Sequence, residues 1–244
     1  MVKVRLQKII AEAGICSRRK AEALLTEERV TINGEKAQIG DKADPDLDEI
    51  FVDDYRVHNI FKETVIILNK PIGVISTCND PHGRITVLDL LPKDLRKGLY
   101  PVGRLDLDSR GAILLTNNGD LTLKLTHPSY LHEKTYKVIV EGFPSQNTLK
   151  RWREGVILNG KKTLAASIDL IYSKRNTSML KIILKEGRNR QIRRIGALLG
   201  HPIIDLKRIA IGNLKLNSLG EGDWRKLNKK ELNLLDYTYK NPSN

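Results

Sequence analysis

The sequence predicts an α+β protein, with a small N-terminal α/β module ahead of a larger domain built on a mixed, largely antiparallel sheet with flanking helices. Three observations carry this reading. Two short stretches with helical apolar spacing, "RLQKIIAEAG" and "SRRKAEALL", run into "VTINGEKAQIG", a hairpin pattern. After about residue 60 come short strand-like runs, "TVIILN", "GAILLTN", "KTYKVIVEG", "SIDLIYS" and "SMLKIILKEG". Helical patterns fall among these runs without regular strand-helix alternation, which argues against a parallel doubly wound sheet.

Leu6, Ile9, Ile10 and Ala13 share one face of the first helix, and Gly14 stops it. Ser17 is a suitable N-cap for the second, whose Ala21, Leu24 and Leu25 face the first. Asn33-Gly34 then marks a tight hairpin turn. "DDYRVHNIFKE" (53–63) is polar and weakly periodic and reads as a link, placing the domains at 1–59 and 60–240.

In the larger domain "TVIILNKPIGVIST" reads as strand, turn and second strand. Tyr136, Val138 and Val140 share one face of "KTYKVIVEG". "SQNTLKRWREG" is a helix capped by Ser145, packed through Leu149 and Trp152, and stopped at Gly155. The tail "LNKKELNLLDYTYKNPSN" opens as a short helix and ends in a polar segment expected to be disordered.

Charge narrows the function. The 244 residues carry 42 Lys+Arg against 29 Asp+Glu, a formal net charge of +13 spread along the chain. Such a surface attracts a polyanion, and nucleic acid is the first partner to consider. No apolar stretch approaches ~20 residues and no signal-peptide core is present, so no membrane association and a cytoplasmic location are expected. Cys16 and Cys78 form no CxxC pair, no histidine spacing suggests zinc, and no Walker A or GxGxxG loop occurs, so neither metal nor nucleotide cofactor is expected.

Two basic clusters stand out. Arg18, Arg19 and Lys20 open the second helix at the positive end of its dipole, where acids would be more stabilising. Cations beside free backbone N–H groups suit phosphate. In "GRNRQIRRIGALLG", Arg190, Arg193 and Arg194 lie opposite Ile192, Ile195 and Leu199, giving one packing face and one anion-facing side. In "GRLDLDSRGAILL" Asp106 and Asp108 lie two residues apart. A glycosidase pair fits poorly because its carboxyls are usually set on separate elements. One reactive carboxylate held ionised by basic groups, with an aromatic ring to receive a flipped base, fits better.

Residues 3–50 resemble the S-four-type RNA-binding domain, which implies RNA contacts through Arg5, Ser17, Arg18, Arg19 and Lys20. The stretches "LNKPIGVIST", "DPHGRITVLDLLP", "PVGRLDLDSRGAILLTNNGDL", "HPSYLHEKTYKV" and "KEGRNRQIRRIGALLGHPIIDLKR" together resemble bacterial ribosomal RNA pseudouridine synthases of the Rsu type over about 64–216. The resemblance implies their fold, with a basic cleft across a mixed sheet, and the isomerisation of uridine to pseudouridine in ribosomal RNA without a cofactor. It carries the catalytic aspartate onto Asp106, the stacking tyrosine onto Tyr136 and the arginine partner of the aspartate onto Arg193. Lys70, Arg104, Arg188, Arg190 and Arg194 are expected RNA contacts beside them. The chain departs from the family after the aspartate, with Ser109-Arg110-Gly111 where Thr-Ser-Gly is common. The wording of "GRNRQIRR" is nearer the large-subunit enzymes, so 23S rather than 16S RNA is the expected substrate, free or in a subunit precursor, bound by a monomer. A non-catalytic assembly factor with the same surfaces, or a glycosylase releasing free uracil, are the competing readings.

Overall fold

The computed structural model describes residues 3–57 and 63–235. The N-terminal module contains β1 (Val4–Arg5), α1 (Leu6–Glu12), α2 (Arg18–Thr26), β2 (Val30–Ile32), β3 (Glu35–Lys36), β4 (Lys42–Ala43), β5 (Ile50–Val52) and β6 (Tyr55–Arg56). The order β3-β2-β5-β6 makes a small antiparallel sheet, and β1 pairs with β4. Leu6, Ile10, Ala21, Leu25, Val30 and Ile50 close one core between the helices and this sheet. Ser17 caps α2 by accepting from the Lys20 amide at 3.3 Å. Asn33 and Gly34 turn the hairpin with φ of 51° and 87°, the backbone such a two-residue loop requires.

The segment read as a polar link behaves differently over its first half. Asp53 takes φ 52° and turns β5 into β6, because two strands here find backbone partners that weak side-chain periodicity does not announce. The proposed boundary near residue 60 lies outside the described residues, as does the tail from residue 236 that was expected to be disordered.

The larger domain begins with β7 (Val65–Lys70), β8 (Tyr100–Val102), β9 (Arg110–Thr116), α3 (Gly119–Thr126), β10 (Lys134–Glu141) and α4 (Gln146–Glu154). It continues through β11 (Ile157–Leu158), β12 (Lys161–Lys162), β13 (Ser167–Lys174), β14 (Thr177–Leu184), α5 (Gln191–Leu198), β15 (Ile203–Ile211), β16 (Leu214–Lys215), β17 (Trp224–Lys226) and α6 (Lys229–Asn233). Nine strands form one sheet in the order β13-β14-β10-β15-β9-β7-β17, with β16 on β15 and β8 on β9. All pairings are antiparallel except β15 with β9, which joins the two halves.

Alternation along the strands builds two cores. Ile66, Leu68, Val138, Val140, Leu180 and Ile182 bury one face with Trp152 of α4 and Ile192 and Ile195 of α5. Val65, Ile67, Leu114 and Ile211 bury the other with Leu121 of α3 and Leu232 of α6. The second strand read in "GVIST" does not form. Only Ile75 bridges to Thr86, and the Ser76 hydroxyl turns inward to Leu105. The two domains meet where Lys8 of α1 reaches Asp120 of α3 at 3.0 Å. Among the described residues no helix is long and apolar enough to cross a membrane.

Candidate active site

The loop between β8 and β9 carries "GRLDLDS", and several inward hydrogen bonds fix its shape. The ammonium of Lys70, at the end of β7, donates to the carbonyls of Pro71, Asp106 and Ser109 at 2.9, 3.1 and 2.7 Å. Ser76 grips Leu105 from both sides, donating to its carbonyl at 2.9 Å and accepting from its amide at 3.1 Å. The Gly73 amide donates to the Leu107 carbonyl at 2.9 Å. The Lys-Pro-x-Gly turn is therefore the floor on which the aspartate loop sits.

That geometry corrects one expectation. Lys70 is fully buried, so it meets no RNA phosphate; its charge is absorbed by three carbonyl dipoles under the loop. Burial pushes its pKa down to about 8, against the opposing pull of Asp108 and Asp106.

The two aspartates have different surroundings. Asp108 accepts a forked pair from Arg190 at 3.1 and 2.7 Å, and Arg193 Nε lies 3.3 Å from its Oδ2 as a charge contact without hydrogen-bond alignment. The Arg190 hydrogen bonds, with the nearby Arg193 charge, hold the Asp108 carboxyl below its usual range despite some burial. Asp106 has a looser cation contact, Arg190 Nη1 at 3.8 Å from Oδ2, and its side chain is 34 % exposed. Arg193 was expected on Asp106, but it donates to the Asp108 carbonyl at 2.6 Å and to Ile203 O at 3.3 Å. Its place in the first turn of α5 puts it behind the loop. Arg190, in the left-handed N-cap position with φ 47°, is the guanidinium nearer Asp106.

Asp106 opens on a cavity of about 620 Å³ also lined by Tyr136, Arg104, His132, Lys134, Ile192 and Arg208. Tyr136 is 9 % exposed, so one part packs in the core while another borders the cavity. Arg104 is exposed on the lining.

Two lining cations escaped the sequence reading. Arg208 of β15 pairs in register with Tyr136 of β10 and is 6 % exposed. Its Nε donates to the Ala112 carbonyl at 2.6 Å, while its buried Nη2 has no hydrogen-bond partner. Lys134, two residues before Tyr136 on the same strand face, has its pKa lowered by burial and by the Arg208 charge. Neither cation has an acidic partner within ion-pair distance among the described residues. Two like charges, Arg208 buried and Lys134 half-buried, without a counterion are costly to the free fold and suit an electron-rich ligand. A cation on the core-facing side of an otherwise apolar alternation was the available sequence signal.

The other predicted phosphate contacts divide. Arg5, Arg19 and Lys20 are exposed on the N-terminal module. The Ser17 hydroxyl is used by the α2 cap. Arg18 turns toward the larger domain, its Nη2 lying 3.0 Å from where a Cβ on Gly119 would stand. The arginines at 188, 190, 193 and 194 all hold protein groups, while Arg190 also stays exposed. Arg188 holds Glu186 and the carbonyls of Lys161 and Lys162, and Arg194 donates to Asn159 at 2.5 Å.

Residues 64–197 match the family described as RNA pseudouridylate synthase, and residues 4–47 match the S4 domain. The chain belongs to the RNA pseudouridylate synthase family. It is 41% identical over 235 residues to the ribosomal large subunit pseudouridine synthase B of Bacillus subtilis, covering 95% of each protein. It is 40% identical to an uncharacterized RNA pseudouridine synthase of Aquifex aeolicus, over 95% of this chain and 93% of that protein. The dual-specificity RNA pseudouridine synthase RluF of Escherichia coli is 36% identical, over 94% of this chain and 77% of its own. A crystal structure of a pseudouridylate synthase superposes with a TM-score of 0.69 at 31% identity, covering 95% of this chain and 99% of that one. The family's pseudouridine synthase reaction isomerises uridine, and the S4 match adds an RNA-binding domain ahead of the catalytic fold.

Proposed function

We propose that the protein converts a uridine of large-subunit ribosomal RNA into pseudouridine, with Asp106 as the catalytic carboxylate. The observation that carries the assignment is the division of labour between the aspartates. Asp108 is bound by Arg190 and Arg193, while Asp106 stays open to the cavity beside Tyr136. The reaction breaks the bond from the ribose to uracil N1, turns the ring, and rejoins it through C5, whose proton leaves as N1 takes one up. Its atoms balance without an added reactant. The target base must first leave its stack, which costs a few kcal/mol that phosphate contacts elsewhere offset.

In this reading Tyr136 stacks on the flipped uracil, Arg190 places its charge beside Asp106, and Arg193 positions the loop through Asp108. Arg208 and Lys134 supply positive charge to the uracil oxygens as the ring detaches. Arg5, Arg19 and Lys20 hold a neighbouring RNA segment, and Arg104 contacts RNA at the cavity. The protein acts as a monomer in the cytoplasm on ribosomal RNA or a subunit precursor. The relative named for the large subunit, similar along nearly the whole chain, supports 23S RNA as the substrate. The test is to incubate the protein with unmodified 23S and 16S RNA and map pseudouridine. Modification at one 23S position is expected; modification confined to 16S would reverse the substrate assignment.

A further inference from the structure

The sheet has a second charged surface, on the side away from Asp106. Lys181 of β14, Lys137 of β10, Lys207 of β15 and Arg110 of β9 are consecutive partners in register across four strands. They point away from Tyr136, Val138 and Leu206, which face the first core. Strand spacing puts the three lysine positions within about 10 Å of each other. Like charges directly opposite one another destabilise a sheet, so this row works against folding.

The side chains of Lys137, Lys181 and Lys207 make no hydrogen bond or ion pair among the described residues; Lys137 is exposed and the other two are half-buried. The acids nearby are few. Asp169 is opposite Lys181 at the edge, and Asp205, whose charge Lys207 feels, is held with Glu221 by Arg110. Lys137, Lys207 and Arg110 line a concavity of about 300 Å³ with Ile139, Met179 and Asn217. In the next row exposed Tyr172 pairs with Met179, on the same face and within reach of an unstacked base.

We propose that this lysine row binds the phosphate backbone of the RNA substrate outside the target loop, as a second docking surface behind the catalytic cleft. The inference rests on the proposed RNA substrate and extends it: RNA reaching both faces must be larger than a single stem-loop. Charge complementarity selects the occupant, because three unpaired ammonium groups in a row match a repeating anion.

The test compares full-length protein with the triple variant Lys137→Gln, Lys181→Gln, Lys207→Gln and the charge-preserving triple Lys→Arg. Binding is read by filter retention over a salt series on a short target stem-loop and on full-length 23S RNA. The Gln variant is expected to bind the stem-loop like wild type, to bind 23S RNA roughly tenfold more weakly at moderate salt, and to lose about 2 from the log–log salt slope. The Arg variant is expected to retain the wild-type slope. An unchanged 23S affinity and slope in a Gln variant that melts like wild type would overturn the proposal. Binding is measured without turnover, so failure of the uridine reaction and failure of this docking surface give different results.

Discussion

At the residue scale, Lys70 shows how a cation can serve a site without touching substrate. Replacing it by Met would leave the carbonyls of Pro71, Asp106 and Ser109 without that donor. Such a loss costs about 2–4 kcal/mol and should be visible in denaturant unfolding. Its pKa near 8 lies below the ordinary 10.5, so between those values the unfolded chain binds more protons than the folded one. Lys70 therefore makes stability rise as pH goes from about 8 to 10.5, a slope that the Met variant should lack. Arg208 gives the complementary case. Arg208→Lys keeps the charge but loses the fork, and is expected to lower kcat at least tenfold with little change in RNA affinity; a wild-type kcat would remove Arg208 from the chemistry. Asp106 and Tyr136, which line one cavity, stand in contiguous, recognisable strings that let the sequence single them out. The roles of Lys70 and Arg208 and the exchange of roles between Arg190 and Arg193 were not legible there, because each depends on which distant segment lies beside the side chain.

At the element scale, the junction of β15 with β9 decides the architecture. Gly111 has φ 108°, and a Cβ there would stand 2.2 Å from the Arg208 carbonyl oxygen. Gly111→Ala should therefore split the parallel pairing and prevent soluble expression or lower the melting temperature by about 5–10 °C, the shift that about 2–3 kcal/mol produces in a chain of this size. The same junction marks where strand reading stopped. β10, α4 and the N-terminal helices follow from plain apolar periods and caps such as Ser17 and Ser145. β15 was missed because Asp205, Lys207 and Arg208 interrupt its apolar run, Arg208 on the buried face itself. The strand expected after Gly73 was an error of the opposite kind: an apolar run that packs as irregular chain because its polar groups hold the aspartate loop.

At the scale of the whole molecule, two RNA-facing domains share a charge of +13. Their orientation is set in part by Lys8 and Asp120, with Glu12 beside them, its carboxyl pKa raised chiefly by burial. The Asp120 side chain is 73% exposed, so this pair contributes below about 1 kcal/mol to stability. The contact is expected to bear on substrate placement: Lys8→Asp or Asp120→Lys alone should raise KM for ribosomal RNA severalfold, and the double exchange should restore it. Equal KM values in all four proteins would mean that this contact does not orient the RNA.

Asp106, held through the looser Arg190 contact while Asp108 is bound by two arginines, is the residue assigned to the isomerisation. The most direct measurement uses ribosomal RNA tritiated at uridine C5, with wild-type protein and Asp106→Asn compared for tritium release and free uracil. Tritium release without free uracil by wild type, lost in the variant while RNA binding persists, is the predicted result. Near wild-type release by Asp106→Asn, or accumulation of free uracil, would contradict it.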